Sequence, residues 1–268
     1  MPVTPHVRVL AFCALVSCAL SVAAGALDLG LDDPDIKDCM ARTLPQKAMT
    51  QKLTLRLFNG TELINTSGAE LFWKRSEAGR SKVIIRMTSP PERAGIAVLA
   101  IEREGSDPEL SVYLPESRKA RRVAGKTIDA SMFGTDFSYE DFAYFQGLAT
   151  ENKTTRLADQ TLEGMQNFVL ETVPSGEGSK YSRIVSYINR EQCALSKIEF
   201  FAKNGTLLKD LVVPHEDVRQ IGTRWIPHHV ILNDHKRESR TELVVEEINI
   251  DPELAENFFS ATKFGAGK

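Results

Sequence analysis

Four histidines, two cysteines and a pair of adjacent carboxylates are the residues of the exported part that could do chemistry, and none falls into a catalytic spacing. His215, His228, His229 and His235 are the histidines after residue 200. His228 and His229 are neighbours in an expected strand, so their side chains would point to opposite faces and could not readily chelate one ion; they read as surface or pocket-rim residues. Glu140 and Asp141 could serve as an acid and base pair, but adjacent carboxylates diverge on a regular element, and they read, with Asp136, as capping groups or partners for basic side chains. The chain has no Gly-x-Ser-x-Gly, no His-Glu-x-x-His, no phosphate-cradling glycine loop and no Cys-x-x-Cys. No catalytic residue, metal or cofactor is therefore expected, and the chain reads as a protein other than an enzyme.

The densest stretch is Tyr113 to Phe142. Basic residues Arg118, Lys119, Arg121, Arg122 and Lys126 come first, and Met132, Phe133, Phe137, Tyr139 and Phe142 follow among Gly134, Asp136, Glu140 and Asp141. Large apolar side chains in a segment with loop composition need a surface to cover. The basic half has two readings: a docking edge for an anionic headgroup, membrane or acidic partner, or a solvated edge that discourages strand pairing.

The elements that must position these residues are strands. Leu53, Leu55 and Leu57 alternate with polar neighbours, Ala69, Leu71 and Trp73 do the same, and Val83, Ile85 and Met87 share a face. Later runs at 96–103, 110–114, 166–172, 182–189, 195–203, 206–213, 223–232 and 242–250 bring the count to about eleven. Asn59-Gly60 and Asn204-Gly205 are hairpin turns, and 174–180 is a hairpin loop. Helices are expected at 35–43, 138–146 and 252–257, the last with Asp251 as N-cap and Pro252 in its first turn. The fold class is mainly β: one curled antiparallel sheet, a half-open barrel with a few short covering helices. So little helix cannot fill the concave side, which leaves room for a ligand.

At the N-terminus, His6 and Arg8 precede an apolar run from Val9 to Val22 and the small residues Ala23 to Ala26. This is the order of a secretory signal, giving residues 1–26 as signal peptide and 27–268 as a single domain. Leu15-Val16-Ser17-Cys18 also has the form of a lipobox, so lipid anchoring at Cys18 stands as an alternative. The net charge of −3 argues against a nucleic-acid partner. Cys39 and Cys193 form a disulfide by default in an oxidising compartment, with two separately buried thiols as the alternative.

Trp73-Lys74-Arg75, Ser89-Pro90-Pro91, Ile101-Glu102-Arg103-Glu104, Tyr113-Leu114-Pro115, Arg121-Arg122-Val123 and above all 132–141, MFGTDFSYED, together resemble the bacterial outer-membrane lipoprotein-sorting family. This is the LolA-like group, in the branch found beside RND-type exporters. The resemblance covers most of the chain from about Cys39 to Phe264, and it supports pairing Cys39 with Cys193. It implies a half-closed antiparallel barrel around an apolar cavity, and a monomeric periplasmic carrier of lipid or lipoprotein acyl chains between inner and outer membranes. Transient membrane contact and a possible RND-type exporter partner go with it. An adaptor subunit of an export complex that binds no lipid is the alternative, and a packed sheet interior would favour it.

Under the carrier reading, the inward residues Leu55, Trp73, Ile85, Met87, Val112 and Trp225 line the cavity. Met132, Phe133, Phe137, Tyr139 and Phe142 close it, and Arg118, Lys119, Arg121 and Arg122 face a headgroup or partner. Trp73 and Trp225 could equally be core plugs.

Overall fold

The computed structural model describes residues 33–43, 45–148, 152–175, 178–261 and 263–265. The expected signal segment and Cys18 lie outside these residues.

Helix α1 (Pro34–Thr43) opens the described chain. Asp33 caps it by accepting from the N–H groups of Asp35 and Ile36, and Pro34 occupies the first helical position, where no N–H is needed. Strands β1 (Ala48–Asn59), β2 (Glu62–Arg75), β3 (Ser81–Ser89), β4 (Ala97–Ile101), β5 (Glu109–Leu114) and β6 (Lys119–Val123) follow. After the short helix α2 (Tyr139–Phe145) come β7 (Lys153–Leu162), β8 (Met165–Val173), β9 (Tyr181–Asn189), β10 (Leu195–Ala202) and β11 (Leu207–Val212). The small pair β12 (Val218–Ile221) and β13 (Arg224–Pro227), then β14 (His229–Asp234) and β15 (Ser239–Ile250), complete the strands.

Thirteen of these form one antiparallel sheet in the order β6-β5-β4-β3-β2-β1-β15-β14-β11-β10-β9-β8-β7, and β12–β13 is a separate ribbon. The sheet does not close, because β6 and β7 each have one neighbour. Both expected Asn-Gly hairpins are present, with Gly60 and Gly205 at φ of 55° and 82°, a conformation open to glycine at little cost.

Period-two patterning holds because each strand separates two environments. Val83, Ile85 and Met87 enter the main core with Leu53, Leu55, Leu71 and Trp73. Ile84, Ala97 and Leu99 point the other way, against Phe259 and Phe264 of the C-terminal segment. Strands buried on both faces read as unbroken apolar runs, as β4 does.

Several sequence expectations need correction. The described residues form fifteen strands, since β6, β7 and β12 carry too many polar side chains to announce themselves and one expected strand is two. The strand expected over 223–232 breaks at His228, so the two histidines do not alternate in one strand. His228 is buried, its ring bonded to the Ile226 carbonyl, while His229 meets Asp217. No helix forms at 252–257: the segment is irregular up to a 3₁₀ turn at Glu256–Phe259. Asp251 is not its cap. It sits at φ of 54° and accepts from the N–H groups of Lys47 and Ala48, fastening the chain end to the start of β1. Among the described residues, no helix is long and apolar enough to cross a membrane.

Candidate functional site: an apolar cavity under the sheet

The concave face of the sheet has two halves. Over β1 to β5 it is filled by the segment 131–145, which the chain pins in place with buried polar groups. Asp136, 1% exposed, accepts from the Ser239 and Thr241 hydroxyls at 2.6 and 2.8 Å. Asp141 accepts from the backbone N–H of Ser138 while its own N–H donates to the Ser138 hydroxyl, a reciprocal cap on α2. The same carboxylate accepts from Lys209 Nζ at 2.7 Å and from the Tyr181 hydroxyl at 2.6 Å. Lys209 Nζ also donates to the Asp136 carbonyl, so one buried ammonium ties both ends of the segment to β11. Burial and the Asp141 charge hold the Tyr181 proton far above the ordinary phenol value.

These anchors seat Met132, Phe137 and Phe142 as buried residues against Leu55, Ile85 and Met87, with Phe133 and Tyr139 half-buried beside them. The space left there is about 20 Å³, room for one water. Trp73 is buried in the same core, with the Arg75 guanidinium 5.5 Å from its ring, and Val112 packs at its edge. Asp136 and Asp141 therefore bond to Lys209 and to β15 rather than to the basic run.

Over β7 to β10, and reaching back across β14, β15 and β1 to Leu71 on β2, the concave face is not filled. A cavity of about 320 Å³ lies there, at the low end of the range of roughly 300–1,000 Å³ for ligand sites. Its walls come from β1, β2, β7, β8, β9, β10, β14 and β15, from the end of α1 and from the end of α2 with the turn that follows it. Apolar side chains dominate, among them Leu170, Ile188, Ile198, Val230 and Leu243. The β12–β13 ribbon folds over this half and presents Trp225, Ile226 and Pro227. Of the eleven residues expected to line or close a ligand site, Trp225 lines this cavity, and the other ten lie in the packed half or at its border.

One polar patch interrupts the apolar wall. Tyr144 Oη lies 3.1 Å from both Thr172 Oγ1 and Ser186 Oγ, and Thr172 Oγ1 lies 3.0 Å from Thr154 Oγ1. Four hydroxyls from α2, β7, β8 and β9 thus form one chain on the cavity wall. Burial holds the Tyr144 proton above its ordinary range, so this group stays neutral. Sequence reasoning missed these residues. Hydroxyls scattered over four elements carry no spacing signal until the sheet gathers them.

At the cavity's end, Cys39 on α1 is bonded to Cys193 in the β9–β10 turn, with Cα atoms 5.0 Å apart. Cys193 and Ala194 form part of the wall, and α1 buries Ile36 and Cys39 on Phe168 and Leu170. The basic run lies elsewhere. Arg118 is in the β5–β6 turn, and Lys119, Arg121 and Arg122 are exposed on β6 at the open edge of the sheet. None of the four makes an ion pair among the described residues. No cluster of three metal-ligating side chains occurs among the described residues either.

A family model described as an uncharacterized protein matches residues 79–265, most of the sheet and all of the segment that fills it. The chain belongs to this family. Its fold is that of the outer-membrane lipoprotein-sorting and LolA-like proteins. A lipoprotein-sorting protein domain from Vibrio parahaemolyticus superimposes with a TM-score of 0.77 at 22% identity, over 90% of this chain and 98% of that one. A DUF1329 family protein from Desulfovibrio piger gives 0.75 at 19%, over 84% and 94%. A LolA superfamily protein from Nitrosomonas europaea gives 0.64 at 17%, over 84% and 96%. At these identities the likeness is one of fold. No curated protein matches the chain.

Proposed function

We propose that the protein is a periplasmic carrier that shelters acyl chains of lipids or lipoproteins in the cavity over β7 to β10 and moves them between the inner and outer membranes. The observation that carries this reading is the cavity itself: an unfilled, mainly apolar space on the concave face of an otherwise packed sheet. Each CH₂ buried there gains ~0.8 kcal/mol, so micromolar binding, about 8 kcal/mol, takes roughly ten methylenes before entropic losses and more after them. Binding of this kind needs no catalytic group. The fold of a lipoprotein-sorting domain and the expected export signal at residues 1–26 support the same reading.

The exposed cations of β6 serve in this proposal as the docking edge, toward a membrane surface or an acidic RND-type exporter. Their placement on an open sheet edge, with no acidic partner among the described residues, keeps them available to an outside anion.

Two measurements test the carrier. Mass spectrometry of protein drawn gently from its native envelope should find co-purified lipid, and the neutral probe diphenylhexatriene should gain fluorescence with the purified protein. Several lipid-free preparations together with no probe binding would overturn the reading.

A further inference from the structure

The cavity wall also bears on which part of a lipid enters. None of the described lining residues is charged. A carboxylate or phosphate brought inside would leave water without a counter-ion, at a cost of several kcal/mol. The four-hydroxyl chain offers something else. Thr154, Thr172, Tyr144 and Ser186 have four hydroxyl protons and three contacts among themselves. With no further side-chain partner among the described residues, one proton remains for an acceptor inside the cavity. Tyr144 donates to Thr172, so the spare proton sits on Thr172, 3% exposed, or on half-buried Thr154, both on the cavity wall.

We propose that this hydroxyl chain receives an uncharged acyl ester, its carbonyl oxygen accepting the spare proton while the chain methylenes lie on the apolar wall toward Leu170, Ile188 and Ile198. The inference rests on the carrier reading and sharpens it. The cargo is held by the neutral ester region of a glyceride or a diacylated lipoprotein, and an ionised headgroup stays outside. A buried neutral hydrogen bond is the whole of the discrimination, which sets its size.

The test is displacement of diphenylhexatriene from the full chain by methyl palmitate, by heptadecane and by palmitate. The variant combines Tyr144→Phe, Thr172→Val and Ser186→Ala, which makes the patch apolar in one step and leaves only half-buried Thr154 polar. In the unaltered protein, methyl palmitate should displace the probe at about tenfold lower concentration than heptadecane, the worth of one satisfied buried hydrogen bond. Palmitate at alkaline pH should be weaker than the ester. Read against its own probe affinity, the triple variant should lose the preference for the ester over heptadecane. Should it fail to fold, Tyr144→Phe alone breaks the chain and is expected to change the ratio of ester to heptadecane affinity.

Diacylglycerol and an S-diacylglyceryl-cysteine peptide carry the same ester, and the one that displaces at lower concentration names the source. An ester preference that survives the triple variant, or no preference in the unaltered protein, overturns the inference while leaving the carrier standing. No probe binding at all removes both.

Discussion

Lys209 is 4% exposed, and its ammonium is held by the Asp141 carboxylate and the Asp136 carbonyl. Replacing a buried pair by apolar residues is often neutral, but removing one partner leaves the other charge stranded. Lys209→Met should therefore cost about 3 to 5 kcal/mol in urea unfolding, whereas Arg121→Met on the exposed edge should change the midpoint little. Glu140 gives a pH dependence. Burial first, with the neighbouring Asp141 charge adding, raises its carboxyl from the usual 4.5 to about 7. Because the folded value lies above the unfolded one, the stability tied to the protonated form is intact below about pH 4.5 and is lost as pH rises through about 7. Glu140→Gln should thus raise the melting temperature near pH 8 and leave it nearly unchanged near pH 4.5. At this scale the sequence announced the string 132–141 as unusual. Its aromatics suggested a closing element, and the buried carboxylates beneath them fasten it to β11 and β15; a long-range partner such as Lys209 has no local signature.

Among the elements, α1 is held by the one disulfide found among the described residues. Cys39 and Cys193 are separated by 154 positions, so the cross-link restrains a long loop of the unfolded chain by about 4 to 5 kcal/mol in the chain-entropy model. The bond also fixes α1 over the cavity end, where Thr43 and Cys193 line it. Replacing both cysteines by serine should lower stability by up to that amount and raise the dissociation rate of diphenylhexatriene, read by stopped-flow dilution. Strands with one buried face were legible from alternation alone, as β1 and β2 show. Edge strands were not. β6 reads KARRV and β7 KTTRLADQTL because one long side of each faces water, which removes the apolar period and leaves charge as the guard against pairing. Helix α2 falls within the expected 138–146, and the structure shows Ser138 as its cap, while Asp251 and Pro252 mimicked a helix start because the same residue types also make irregular anchors.

For the molecule as a whole, the shortage of helix predicted unfilled space, and the sheet order explains where that space falls. The segment after β6 returns across the concave face and fills the half over β1 to β5, so the half over β7 to β10 is left to α1, the β12–β13 ribbon and the cavity. The expected lining residues followed the N-terminal strands, where alternation was strongest; that is the packed half, since strong alternation marks a well-filled core as readily as a binding wall. This division makes a whole-molecule prediction possible. Leu195 on β10 is half-buried and faces the cavity, so Leu195→Trp adds bulk to an existing space rather than to a packed core, where overpacking would cost about 1 to 3 kcal/mol. Its melting temperature should stay within about 4 °C of the unaltered protein. Diphenylhexatriene affinity should fall at least about tenfold, since the added ring displaces the methylenes and aromatic carbons a ligand would place there. In the filled half the opposite pattern is expected. Phe137→Ser removes a buried ring from the core and should lower stability by about 3 to 5 kcal/mol, with probe binding retained in the fraction that remains folded. Equal affinity loss from both substitutions, measured on folded protein, would place the ligand across the whole concave face instead of in one half.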